Sequence, residues 1–197
     1  MRINWFSNSP AAATGYGNQT KLFVPRLAKL LDGGISVTAF YGVQAGVLNI
    51  NGIKVYPTFK HPYGQDVIGA HATWDEADAI ISLLDIWVMQ PENIGLPWFP
   101  WFPIDHEPIP ANVLAKARQA TKGIVMSKFG KRMAERAGRD VWYVPHAVDT
   151  NIFKPLDRTE AREHLKWPQD KFIVGMVAAN KGNPSRKAFY EQIAAFA

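Results

Sequence analysis

With 197 residues, 47% of them hydrophobic and 20% charged, the chain is long enough to bury a substantial core and too apolar to be disordered. It has no cysteine, which excludes disulfides, thiolate nucleophiles and cysteine zinc sites, and its net charge of +5 is mildly basic. No apolar run approaches the roughly 18 residues of a membrane span, and no long apolar segment follows Met1-Arg2, so a cytoplasmic protein without a transmembrane segment is expected. The positive residues between Lys116 and Arg139 recur at helical spacing. Such a face is usually just solvated; the alternative is an anionic partner such as a sugar nucleotide, an acidic glycan or a membrane surface.

The first strand is expected over Arg2 to Ser7, followed by a polar, small-residue loop from Asn8 to Thr14. Gly15-Tyr16-Gly17 then leads into a helix from Asn18 to Leu31, with Leu22, Phe23, Leu27, Leu30 and Leu31 on one face. Pro25 interrupts it, as a kink or in a first turn, and Gly33-Gly34 stops it. Ile35 to Tyr41 is a second strand. Strand, helix, strand within about forty residues is a βαβ unit, so the sheet should be parallel. Asn51-Gly52 predicts a turn before a short strand from Ile53 to Tyr56.

A helix is expected over Gln65 to Ala77. Asp78 to Leu84 is a near-continuous apolar run, as a central parallel strand requires. Strands at Trp98 to Pro103, Gly123 to Met126 and Val141 to Val144 alternate with helices at Pro110 to Ala120 and Lys128 to Ala137. Further on, Thr159 to Leu165 reads as helical, Phe172 to Ala178 as a buried strand, Asn180 to Ser185 as a polar loop and Arg186 to Phe196 as a helix. The fold expected is α/β, a Rossmann-like doubly wound, mainly parallel sheet over residues 1–150. Residues 151–197 are expected to form a crossing and the start of a second domain.

In an open parallel sheet, ligands bind outside the carboxyl ends of the strands. The residues placed there include Ser7 to Gly17 after the first strand, Asp85 and Trp87 after Leu84, and Asp105-His106-Glu107 after Pro103. Loops are polar in any case. Polarity alone explains less well an acidic residue directly after one buried strand and an acid–His–acid triplet after the next. Gly15-x-Gly17 lacks the third glycine of the dinucleotide fingerprint, and Phe40 and Tyr41 stand where a ribose would need a carboxylate, which disfavours a nicotinamide cofactor.

Pro103 and Pro108 hold the triplet on a stiff loop, so at most two of its three groups should face one ligand. Asp105 or His106 would then bond a sugar hydroxyl or act as acid or base; the plain alternative is a capping turn before the next helix. No second histidine falls at ligand spacing, so no metal site is expected. Asn183-Pro184-Ser185-Arg186-Lys187 follows an expected strand and opens an expected helix. Its cations would suit a phosphate, against the alternative of an exposed first turn. Asp75-Glu76-Ala77-Asp78 spells a helicase box but has no phosphate loop upstream, and the aromatic run Trp98 to Pro103 lacks the interleaved basic residues of a nucleic-acid platform.

Four places resemble GT-B-fold glycosyltransferases of the large retaining group often called family 4. These are the first strand with Gly15-Tyr16-Gly17 and its helix, the Pro103-Ile104-Asp105-His106-Glu107 loop, the stretch from Ser127-Lys128-Phe129-Gly130 to Val144-Pro145-His146-Ala147-Val148-Asp149-Thr150-Asn151-Ile152-Phe153-Lys154-Pro155, and Phe172 to Arg186-Lys187. The third resembles the family's "S-x-F … v-P-N-G-V-D-x-x-x-F-x-P" crossing between domains, with His146-Ala147 in place of Asn-Gly.

The resemblance implies transfer of a sugar from a nucleotide-sugar donor to a glycan or small-molecule acceptor hydroxyl, with retention and without a metal or further cofactor. It implies that the acceptor meets Gly15, Tyr16 and Gly17, with Asp85 beside them. His106, or Asp105, would touch the transferring sugar, and Arg186 and Lys187 would neutralise the donor diphosphate. His146 and Asp149 would be hinge and cleft-floor residues. The family's donor domain extends well over a hundred residues and carries a Glu-x7-Glu motif that is not in this sequence, so the chain by itself is expected to transfer little or no sugar. A non-catalytic carbohydrate- or partner-binding module on the same half-fold is the competing expectation. An unfinished second domain is also expected to form a homodimer through its exposed edge or to dock onto the first.

Overall fold

The computed structural model describes residues 1–179 and 182–196. The chain opens with strand β1 (Ile3–Asn8), helix α1 (Gly15–Leu30) and strand β2 (Ile35–Tyr41). A hairpin follows, β3 (Leu48–Ile50) and β4 (Ile53–Tyr56), then α2 (Ile68–Trp74) and β5 (Ala79–Leu83). Next come β6 (Trp98–Phe102), α3 (Ala111–Ala117), β7 (Gly123–Val125), α4 (Lys128–Arg136) and β8 (Val141–Tyr143). The strands form one sheet in the order β3-β4-β2-β1-β5-β6-β7-β8. Every pairing is parallel except that of β3 with β4.

The architecture is therefore α/β, with a mostly parallel sheet of the Rossmann-like, doubly wound kind. Apolar side chains alternate across the strands into two cores. Phe6, Ile80, Phe102 and Val125 pack with Ile68, Val113 and Met133 of α2, α3 and α4. Trp5, Val37, Leu83 and Trp101 form the other core, which includes Val24 of α1. Buried tryptophans need a partner for the indole N–H. Trp5 donates to Thr20 Oγ1 (3.1 Å), Trp98 to Ser82 Oγ (2.9 Å) and Trp101 to the Val144 carbonyl (2.9 Å).

Local chemistry explains the element ends. Thr14 caps α1, its Oγ1 accepting from Gly17 N at 3.0 Å. Gly15 and Gly17 thus lie in the first turn of the helix and not in a loop before it. Pro25 sits deep in α1, where it removes one backbone donor without ending the helix. Asn51 and Gly52 both have positive φ (53° and 83°), which makes the tight turn that pairs β3 with β4. β3 is not evident from the sequence because its three residues are half-exposed or exposed and carry no apolar run.

At the amino ends of β1 and β2 a polar network ties α2 to the sheet. The buried Asp75 carboxylate accepts from Lys54 Nζ (2.8 Å) and Tyr56 Oη (2.9 Å). Its backbone carbonyl accepts from Arg2 Nε (2.5 Å). A cavity of only about 70 Å³ lies beside it. This edge is opposite to the one where parallel sheets bind ligands.

The chain divides into two compact units, Met1–Ile152 and Phe153–Ala197. The second contains α5 (Arg158–His164), capped by Asp157 through Glu160 N at 3.0 Å, and α6 (Phe189–Phe196). The expected strand over Phe172 to Ala178 is not formed. A buried strand needs a neighbour for its ladder and apolar cover for its faces. The described residues of this unit supply no other strand, and Phe172 and Val177 are fully solvent-exposed at 90% and 104%. Of the expected loop over Asn180 to Ser185, residues 180 and 181 lie outside the described residues, as does Ala197 at the chain's end.

Candidate functional site

The strand order places the topological switch between β1 and β5. From β1 the chain winds one way to β2, and from β5 it winds the other way to β6, β7 and β8. The loops leaving the two central strands diverge there and open a crevice at their carboxyl ends.

Tyr16, in the first turn of α1, spans this point. Its phenol donates to Asp85 Oδ1 at 3.4 Å, and Asp85 is the second residue after β5. Burial, and then the nearby carboxylates of Asp85 and Asp105, push the Tyr16 phenol well above its ordinary pKa. It therefore stays neutral and keeps its proton for donation. Gly17 is required by close approach: a Cβ there would lie 2.3 Å from the Ala12 carbonyl and 3.0 Å from that of Ser9. Gly15 has open space around the same position.

A cleft of about 250 Å³ adjoins this point, lined by Asp85, Trp87, Asp105, His106 and Asn112 among others. The Asp105-His106-Glu107 triplet divides. Asp105 Oδ1 and His106 Nδ1 lie 2.6 Å apart, both side chains largely open to solvent. Glu107 is turned away to the Arg136 guanidinium on α4. A carboxylate can only accept, so His106 Nδ1 donates to Asp105, and Nε2 is the ring's other polar atom. The dyad can bond a hydroxyl or take its proton.

The start of the crossing stretch packs against α1 and Trp101. Gln19 of α1 grips the Ala147 backbone twice, Nε2 to the carbonyl at 2.9 Å and Oε1 from the amide at 2.8 Å. The His146 ring meets those of Trp101 (5.0 Å between centroids) and Tyr16 (6.4 Å), both edge-on. Burial pushes the His146 imidazole below its ordinary pKa, so it is neutral near pH 7.

Residues 1–152 thus bring Tyr16, Asp85, Asp105 and His106 to one edge, with Gly15 and Gly17 flanking Tyr16 in the first turn of α1. Gln19, Trp87 and His146 join them. Of these, Gln19 shows in sequence only as a polar residue on an apolar helix, next to the buried Thr20. Arg186 and Lys187 belong to the second unit. They are exposed and precede α6, whose first residue is Phe189, so they do not form a helix opening as their spacing suggests. Among the described residues, no group of three or more histidine, aspartate or glutamate side chains is placed to hold a metal ion. No described helix is long and apolar enough to cross a membrane. Among known proteins, no family model and no curated sequence matches this chain.

Proposed function

We propose that residues 1–152 are the acceptor-side domain of a retaining GT-B-type glycosyltransferase and that the crevice at the switch point receives an acceptor sugar. One observation carries this reading: Asp85, Asp105 and His106, drawn from two separate stretches of chain, line a single cleft at the carboxyl edge of the sheet, and Tyr16 from a third stretch bonds Asp85. In this reading the carboxylates hold acceptor hydroxyls, and His106 or Asp105 touches the sugar in transfer. Arg186 and Lys187 offset charge on the departing nucleoside diphosphate. The donor is a nucleotide sugar, the acceptor a glycan or small molecule, and the setting the cytoplasm. The exposed Phe172, Val174 and Val177 make homodimerisation through the second unit part of the reading, checked by sedimentation.

The test is an amide-resolved NMR titration of the whole chain with sugars and with nucleoside diphosphates, alongside an assay for nucleoside diphosphate release from nucleotide sugars. Sugars are expected to shift Tyr16, Gly17 and Asp85, and diphosphates to shift Arg186 and Lys187, with little or no release. Robust turnover by this chain would overturn the view that it acts only on the acceptor side. Failure of every sugar to move the crevice would overturn the reading itself. A second reading is a non-catalytic carbohydrate-binding module, favoured by a crevice completed wholly within residues 1–152. It predicts sugar shifts without diphosphate shifts.

A further inference from the structure

Trp87 is a large apolar side chain held open to solvent. It lies in the 3-10 turn Ile86–Val88, immediately after Asp85. Its neighbours Ile86 and Met89 are each about 1% exposed and anchor the turn in the core next to α3. Trp87 itself is 55% exposed and lines the cleft that contains Asp85, Asp105, His106 and Asn112. The other exposed tryptophans, Trp74, Trp142 and Trp167, do not line it. An apolar plane kept open to water beside the polar groups of a mixed cleft gains most from a ligand with both an apolar face and a polar rim.

We infer that Trp87 is the stacking platform for one neutral pyranose ring, with Asp85, Asp105 and Asn112 bonding its hydroxyl rim. This rests on the carbohydrate reading above and names the class of sugar. A pyranose presents axial C–H groups on one face, which suit the electron-rich face of an indole. Its hydroxyls are donors, which suit carboxylates that only accept. About 250 Å³ is room enough for a single ring. The charge of the lining decides between sugars. The cleft carries two carboxylates and neither lysine nor arginine. A uronic acid or sugar phosphate would bring a like charge against them in a partly dehydrated space. A nucleotide base would also stack on an indole, but its diphosphate meets the same repulsion.

The whole chain is titrated by NMR, following the Trp87 indole N–H and the crevice amides. The probes are methyl glucoside, galactoside and mannoside, glucuronic acid and uridine diphosphate. At least one neutral methyl pyranoside is expected to shift Trp87, with glucuronic acid binding at least tenfold more weakly. Trp87→Ala is expected to weaken the neutral sugar about tenfold or more, and Trp87→Phe to retain most of the affinity. Because the side chain is exposed, both variants should keep the wild-type Tm, which verifies folding. Unchanged affinity in Trp87→Ala, with shifts still at Asp85 and Asp105, overturns the platform and leaves the acceptor reading standing. Equal binding of glucuronic acid, or preferential binding of uridine diphosphate at Trp87, overturns the selection for neutral rings. No shift from any sugar overturns the acceptor reading together with this one.

Discussion

The Tyr16 phenol and the Asp85 carboxylate, 69 residues apart in the chain, meet at 3.4 Å across the switch between β1 and β5. The contact joins the first turn of α1 to the exit of a central strand, beside the cleft that Asp85 lines. Because the phenol is partly buried and faces two carboxylates, its ionisation is opposed in the folded state.

That opposition has a pH signature. The unfolded phenol loses its proton near its ordinary value of about 10, while the folded phenol keeps it to higher pH. Above about pH 10 the unfolded state binds fewer protons than the folded one, so stability falls as pH rises. The contribution is fully present below that pH. Tyr16→Phe is expected to match wild type within about 1 kcal/mol at pH 7 and to lose less stability between about pH 10 and 11.5. Urea melts at each pH measure this; equal slopes in the two proteins would refute it.

The Gln19 grip on Ala147 is expected to hold the start of the crossing stretch in place. Gln19→Leu removes both bonds and strands the Ala147 amide and carbonyl. The expected loss is about 2 kcal/mol, or a fall of roughly 4–8 °C in Tm, with faster hydrogen exchange at the Ala147 amide. Protected exchange at Ala147 in the variant would show that the grip is incidental.

Gly15 and Gly17 should respond oppositely to alanine. At Gly17 the new methyl collides with the Ala12 carbonyl at 2.3 Å, and backbone must move. A loss of about 2–3 kcal/mol is expected. At Gly15 the methyl meets nothing within 4 Å, and alanine is the better helix former. Gly15→Ala is expected to be neutral or to add up to about 1 kcal/mol. Thermal denaturation of the two variants side by side decides it.

Asp75 should govern acid stability. Burial alone would push its carboxyl up, but the hydrogen bonds from Lys54 and Tyr56, with Ser36 alongside, more than offset this and hold it below the ordinary carboxylate value. Its contribution is present above the unfolded value of about 3.9 and is lost as pH falls through the lower folded one. Asp75→Asn is expected to be less stable by about 2 kcal/mol at pH 7, with the gap narrowing as the pH drops below 4. A gap that stays constant with pH would contradict the assignment.

Much of the first unit is legible in the residues. Ile35 to Tyr41 appears as the strand its β-branched and aromatic run predicts, and Asn51-Gly52 makes the turn its dipeptide requires. Asp85, Asp105 and His106 stand out because they follow apolar runs that end at the sheet's carboxyl edge, whereas Tyr16 follows a polar loop and stands out only by the resemblance of its glycine-flanked position. The second unit shows the limit. Phe172 to Ala178 has the composition of a central strand, but composition does not supply a neighbour, and the segment stays open.

Periodicity and turn chemistry are local properties, so the sequence by itself determined most of the strands and helices in residues 1–152, β3 excepted, and which polar groups stand at their ends. Only the tertiary structure decided that β1 and β5 lie side by side, and therefore that Tyr16 reaches Asp85. It also decided that Glu107 leaves the cleft for Arg136, and that Gln19 faces the Ala147 backbone. Those pairings span from 29 to 128 residues of chain. They depend on strand order, register and helix orientation, which are set by packing across the whole sheet and are not encoded in any one segment.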